Sequence, residues 1–512
     1  MESTIFSLLG ELIMPRLEIG RYTDDPEYVS QIHRLIEDHL VGGFCVFGGT
    51  IESVVNSIDE LQNIALRIGR IPLIFSADCE FGLPMRLTEG GTEFPDAMAI
   101  AKTGEPELAY AAGQAIAREM RTLGLTWNFA PVADVNSNPK NPIINTRAFG
   151  DDPETVQVFA VAFMMGLQSE GVAATAKHFP GHGDTSVDSH RELPFINRNW
   201  REFNAIELPP FQSLIDAGVM SVMTGHLAAP KLAEHFGSKP ETAGYPATLS
   251  KSITTNLLRD YLHFDGIIVT DALEMRAIAD HFGSGEAAVL AFEAGADILL
   301  LPAEARIAYE ALVEAVRSGR ITEQECRIRH ERLHKFRRSL ATPTTNLAAF
   351  NAMQSDHLKL AKEIADKAIE CQGQIKTQGA NLLIICDDRP LARKKGERFE
   401  TLMQPFVKTS QVVTASKWND SEHSFDENTI IATFHRARGY ISNVETTKTL
   451  PGIVEEIGSS LEGRGIILKG LILMGSPYLD EAFLSRPQFI IKTYSESAAS
   501  IEAVVAEIQS VE

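Results

Sequence analysis

Fourteen residues, Lys177 to His190, carry a lysine, three histidines (His178, His182 and His190) and two aspartates (Asp184 and Asp188), interrupted by Pro180, Gly181 and Gly183. An apolar run, residues 171–176, leads straight into them. That pattern predicts a buried strand handing polar groups to its C-terminal end, then a loop too glycine-rich to be helical. Polar groups gathered where a strand of an α/β protein ends usually serve ligands. Residues 266–275 repeat the arrangement, with the carboxylate of Asp271 at the strand end.

Other strand ends add to the set. Asp78 closes one apolar run, Asp134 and Arg147 lie in a loop after another, and His226 follows a further run. Carboxylates, cations and imidazoles around one mouth suit a ligand rich in hydroxyls, because each charged group grips a diol with paired hydrogen bonds. Several of these residues also have plainer readings. Asp134 could cap a turn and Asp78 a helix, Lys177 and His178 could form a satisfied polar pair, and His182 could organise its own loop. Cys79 and Met275 read as packing. A zinc site made from His178, His182 and His190 is set aside, since an irregular loop does not present them with ligand spacing. The Gly283-Ser284-Gly285 turn lacks the rest of a phosphate-binding pattern. Neither a metal nor a cofactor is expected.

The elements that must position these groups are eight short apolar runs at 11–16, 43–47, 72–78, 126–131, 172–177, 220–224, 266–271 and 297–301. Helical periodicity fills the gaps at 105–123, 153–170 and 250–262, the last with Ser250 as its expected N-cap. The alternation predicts an α/β fold, a (β/α)8 TIM-type barrel over residues 1–345, with a doubly wound open sheet as the alternative. A basic stretch from 332 breaks at Thr342-Pro343-Thr344-Thr345, the expected linker. Beyond it, helical patterns at 355–370 and 497–508 alternate with apolar runs at 380–386, 411–414, 429–434, 471–474 and 488–494. Residues 346–512 are therefore expected to form a smaller three-layer α/β sandwich domain.

Bulk properties narrow the partners. Of 512 residues, 47 are Lys or Arg and 68 are Asp or Glu, giving a net charge of −21. Such a surface argues against nucleic acid or an anionic membrane as partner. No eighteen-residue apolar run suggests a membrane span, and the N-terminus lacks the basic start of a signal peptide. The five cysteines are scattered and odd in number, as in a reducing compartment, so a cytoplasmic location is expected.

The segment Lys177-His178-Phe179-Pro180-Gly181-His182-Gly183, followed four residues later by Asp188-Ser189-His190, resembles the signature of family 3 glycoside hydrolases, in the two-domain type of their β-N-acetylglucosaminidase branch that recycles cell-wall sugars. Residues 134–150, Thr270-Asp271-Ala272-Leu273-Glu274-Met275 and Leu473-Met474-Gly475-Ser476-Pro477-Tyr478-Leu479 resemble the same family in order and spacing. Asp78-Cys79-Glu80-Phe81-Gly82 departs from the family's usual Asp-Gln-Glu-Gly-Gly. The resemblance implies a retaining glycosidase in which Asp271 is the nucleophile and His190, paired with Asp188, the acid/base. It also implies that Asp78, Arg147, Lys177 and His178 bind sugar hydroxyls, that Met223 contacts the pocket and that His226 supports it. The chemistry is consistent: one group stays ionised while the other gives and then takes a proton.

The function so implied is removal of a terminal, non-reducing, β-linked N-acetylglucosamine from a small carbohydrate, such as one derived from a muropeptide. Two alternatives remain. A neutral histidine would not repel a phosphate dianion, so the same dyad could serve an N-acetylglucosaminide phosphorylase. From another class, the chain could be a catalytically inactive sugar-binding protein.

Overall fold

A computed structural model of the protein describes residues 2–185, 193–419, 423, 425–436 and 449–511. The chain divides into two compact units. The first comprises residues up to 92, 109–142 and 148–357, and the second comprises 93–108, 143–147 and 358 onward.

In the first unit, strand β1 runs in two pieces, Ile13–Met14 and Arg16–Glu18, on either side of Pro15. It is followed by β2 (Gly43–Phe47), β3 (Ile74–Ala77), β4 (Trp127–Asn128), β5 (Thr175–Phe179), β6 (Ser221–Thr224), β7 (Ile267–Thr270) and β8 (Leu299–Leu300). Each strand pairs in parallel with the next, through single bridges at Trp127–Ala173 and Val269–Ile298 where the ladders are shortest. Ile13 then pairs with Leu299, which closes the ring. The unit is therefore a (β/α)8 barrel, and the open-sheet alternative is excluded because no strand is left at an edge of this ring. The strands read as continuous apolar runs since both of their faces are covered. In β2, for example, Phe44, Cys45 and Val46 are all fully buried.

Helices start where their caps dictate. Asp25 accepts hydrogen bonds from Glu27 N and Tyr28 N ahead of the helix Pro26–Glu37, and Asp152 accepts from Thr155 N ahead of Pro153–Ser169. The expected N-cap at Ser250 is not found. The helix there is π-wound over Ser252–Tyr261, and the Ser250 hydroxyl pairs instead with that of Ser252 at 2.8 Å.

The expected linker is not a free tether. Ala341 N donates to Gly171 O, Thr345 bridges Leu123, and Asn346 N donates to Thr122 O, so the stretch lies against the first unit. The helix Leu347–Ala368 follows without a break, and the chain passes from one unit to the other inside it, at His357 and Leu358. The grouping thus differs from a single cut at residue 345. His357 is held in the first unit by the fully buried Glu119, whose Oε1 lies 2.8 Å from His357 Nδ1.

The second unit is built on β9 (Glu370–Gly373), β10 (Asn381–Cys386), β11 (Thr409–Thr414), β12 (Thr429–His435), β13 (Gly470–Gly475) and β14 (Phe489–Lys492). They form one sheet in the order β9-β14-β13-β12-β10-β11, parallel except for the edge strand β9. Alternate residues of the central strands feed two separate cores. Ile384, Ala432 and Ile472 pack with Phe399 and Val504, whereas Ile385, Ile431 and Leu471 pack with Ile453 and Leu461. Helices therefore cover both faces, giving the expected three layers.

Candidate active site

The barrel places Asp78, Lys177, His178 and Asp271 at the C-terminal ends of β3, β5 and β7, with Asp134 in the loop after β4. This is the face on which barrel enzymes assemble their chemistry. The register of β5 against β6 shifts between Ala176 and Phe179. Neighbouring residues of a regular strand point to opposite sides, but at this irregularity Lys177 and His178 both reach carboxylates.

Lys177 is buried between two acids, with Nζ 2.8 Å from Asp78 Oδ1 and 2.7 Å from Glu80 Oε1. Arg86 grips the other Asp78 oxygen, Nε donating to Oδ2 at 3.1 Å and Nη2 to the same atom. Burial alone would raise the pKa of Asp78. Arg86 and Lys177 outweigh it and hold the carboxyl well below the usual carboxylate range. Asp78 is thus a fixed anion in a charged cluster, and the helix-cap reading of it is excluded. The roles of Glu80 and Arg86 were invisible to spacing arguments, although Glu80 stands two residues from Asp78.

Asp134 is fully buried. Its Oδ2 lies 2.7 Å from His178 Nδ1, and its Oδ1 accepts from His178 N at 3.1 Å and His182 N at 2.7 Å. Burial raises its pKa, but His178 draws it below its ordinary value. A single carboxylate therefore orients one imidazole and fixes the backbone entry to the next loop. His182 is also buried, with Nδ1 2.8 Å from Thr185 Oγ1, and burial pushes its pKa down to about 4 against the pull of Asp134. That imidazole is neutral at pH 7.

The loop stem beyond Pro180 is anchored from several sides. Asn141 Nδ2 donates to His182 O at 2.8 Å and Gly183 O at 2.9 Å. Gly183 lies so close to the next loop that a Cβ there would fall 1.6 Å from Val135 O, so only glycine fits. On the return side, Arg198 pairs with Asp184 at 2.9 Å and with the buried Glu207, and donates to Ser137 Oγ at 3.2 Å. Burial raises Glu207 to about 8 despite Arg198 beside it. Arg198 and Glu207 carried no sequence signal, because they lie outside every strand end.

Asp271 N donates to Thr224 O at 2.9 Å, and Asp271 Oδ1 accepts from Ala272 N at 2.7 Å. Its charge is close enough to His182 to raise that group's pKa in part. His226 is buried, its Nδ1 2.9 Å from Thr248 Oγ1 and its Nε2 2.9 Å from Ala272 O. It therefore braces the residue that follows Asp271. Met223 is buried in β6, paired with Val269. Arg147 belongs to the second unit, in the short turn Asn145–Arg147, where its Nη1 donates to Ile143 O at 3.1 Å. Asp188 and His190 lie outside the described residues.

Residues 5–336 match the glycosyl hydrolase family 3 N-terminal domain. Beta-hexosaminidase A of Pseudoalteromonas piscicida is 31% identical over 414 residues, which span 75% of this chain and 68% of that protein. Beta-hexosaminidase LpqI of Mycobacterium tuberculosis is 35% identical over 300 residues, 56% of this chain and 73% of that one. A family 3 β-N-acetylglucosaminidase from Paenibacillus sp. str. FPU-7 superimposes with a TM-score of 0.80 at 28% identity, covering 99% of this chain and 96% of its own. With its closed barrel, its ring of charged strand ends and these relatives, the chain is a glycosidase belonging to glycosyl hydrolase family 3.

Proposed function

We propose that the protein removes terminal, non-reducing, β-linked N-acetylglucosamine with retention of configuration. The observation that carries this reading is Asp271, which stands at the end of β7 on the same barrel face as Asp78, Lys177, His178 and Asp134. A carboxylate anchored by its own backbone is suited to attack an anomeric carbon and form a glycosyl ester. His190, paired with Asp188, would protonate the leaving oxygen and then take the proton of the incoming water. Asp78, Lys177 and His178, with Met223, would bind the sugar. The Asp78–Lys177 cluster offers acceptors and donors at fixed spacing for vicinal hydroxyls. The relatives named beta-hexosaminidase support this substrate class, and the aglycone we favour is a saccharide derived from a muropeptide.

The test is turnover of an aryl β-N-acetylglucosaminide by the full chain, with and without inorganic phosphate. Release of free sugar at a rate independent of phosphate is expected. Accumulation of sugar 1-phosphate in its place would convert the reading to a phosphorylase. Tight binding of the sugar without turnover would convert it to a binding protein.

A further inference from the structure

The opposite end of the barrel carries a second cluster with its own chemistry. The helix Glu323–Ser339 contains His330-Glu331-Arg332-Leu333-His334, two histidines four residues apart and so on one helix face. Their Nε2 atoms are 3.0 Å apart. Glu11, at the end of the helix Glu2–Glu11 and two residues before β1, brings its Oε2 within 3.6 Å of His330 Nε2. The three donor atoms all lie within 4.8 Å of one another. Among the described residues no other group of three His, Cys, Asp or Glu side chains meets that condition.

We propose that Glu11, His330 and His334 form a binding site for a divalent transition ion of the zinc class, and that the ion clamps the first helix of the barrel to its last. Bonds of about 2.0–2.1 Å at tetrahedral angles set neighbouring donors about 3.3 Å apart. The separations of 3.0 Å and 3.6 Å bracket that spacing, so the side chains need only small rotations to converge on one ion. Two imidazoles and a carboxylate, leaving a fourth position for water, suit zinc or cobalt better than calcium or magnesium, which take oxygen ligands.

The surroundings make this a structural site and not a catalytic one. Arg337 pairs with Glu11 Oε2 and donates to Gly42 O at 3.0 Å, while Arg70 lies 3.5 Å from Glu11 Oε1 and donates to Val41 O at 3.0 Å. Glu11 is thus tied to the N-terminal ends of β1 and β2, away from the face that carries Asp271. Arg332, between the two histidines in sequence, is engaged by the buried Asp297 at 3.1 Å. The positive charge of the two arginines opposes a dication and sets affinity below that of an all-anionic site. A carboxylate oxygen has lone pairs enough to accept from Arg337 and bind an ion together.

The experiment uses the full chain after chelator treatment, titrated with Co(II) and read by its visible ligand-field absorption, with Zn(II) as competitor. One equivalent should bind to the native protein. His330→Asn, His334→Gln and Glu11→Gln should each weaken that binding at least about tenfold, the scale of losing a ligand contact. Zn(II) should raise the melting temperature of the native protein, with EDTA reversing the rise, and should leave His334→Gln unmoved. Histidines at the barrel's other end could also take cobalt, so the comparison among variants decides. If the native chain binds no ion at about 100 µM, or the variants bind as many ions as tightly, the three residues are only a hydrogen-bonded string and the proposal fails. His334→Gln that folds normally but turns over substrate at the native rate keeps this test separate from the proposed catalytic reading.

Discussion

The neutral, buried imidazole of His182 gives stability a pH dependence that a single substitution isolates. His182 takes up its proton at about 4 in the folded chain, against an ordinary value of 6.5. Between those values the unfolded chain binds more protons than the folded one, so acidification favours unfolding. The contribution is present in full above pH 6.5 and is lost as the pH falls through 4. The difference is about 2.5 pH units, or about 3 kcal/mol, at roughly 1.4 kcal/mol per unit. His182→Gln retains a polar partner for Thr185 Oγ1 and removes the titration. At pH 7 the variant should be less stable by about 1–2 kcal/mol, for a buried hydrogen bond replaced by a poorer one. As the pH drops toward 4 that gap should close and then invert.

Urea unfolding at several pH values, followed by tryptophan fluorescence, measures this directly. Trp127 and Trp200 report on the first unit and Trp418 on the second, so two transitions are expected and only the first should respond. A gap between native and variant proteins that stays constant from pH 7 to 4.5 would refute the reasoning, because it would mean that His182 titrates alike in both states.

Further outcomes follow from the mouth of the barrel. Asp271→Asn should lower turnover of an aryl N-acetylglucosaminide by at least about a thousandfold while the protein stays folded, and a mechanism-based fluorosugar should label Asp271 in the native chain. Asp78→Asn removes the anion that Arg86 and Lys177 share and should cost about 2–4 kcal/mol in kcat/KM; an unchanged value would remove Asp78 from the pocket. His190→Ala should slow the second step most with an activated leaving group, producing a burst that azide relieves; the absence of both would place the acid/base elsewhere. Gly183→Ala must push the loop stem off Val135 O, so kcat should fall and the melting temperature with it, and native values for both would show that the stem has room to spare.

Much of the architecture could be read from one-dimensional pattern. All eight barrel strands overlap the expected apolar runs, β1 running on to Glu18 and β5 to Phe179, because strands covered on both faces need no alternation, and a run of four to six apolar residues is distinctive when helices separate it from the next. The second unit's parallel strands were legible for the same reason. Its edge strand Glu370–Gly373 was not, since three of its four residues are exposed and its antiparallel pairing to β14 leaves no hydrophobic trace. The passage between units was misplaced for a related reason. Thr342-Pro343-Thr344-Thr345 has the composition of a tether, but backbone groups that bond to Gly171 and Thr122 are held regardless of composition.

The charged site divides in the same way, and the division has chemical meaning. Groups at strand ends could be listed from sequence, yet the contacts that set their charge could not. Lys177 and Asp78 are 99 residues apart and His178 and Asp134 are 44 apart, with nothing local that marks them as pairs. What those long-range pairs accomplish is fixation. Asp78 is held ionised by two cations, Asp134 spends both oxygens on the histidine loop, and Asp271 accepts from its own neighbour's backbone. Groups meant to present charge to a substrate gain from being immobile, since they need no reorganisation when the reaction begins. Proton transfer needs a group that titrates near neutrality, and the described histidine of this loop does not: His182 is depressed to about 4 and buried. The acid/base we propose, His190 paired with Asp188, stands farther along the sequence from the stem that Asn141, Gly183 and Arg198 anchor.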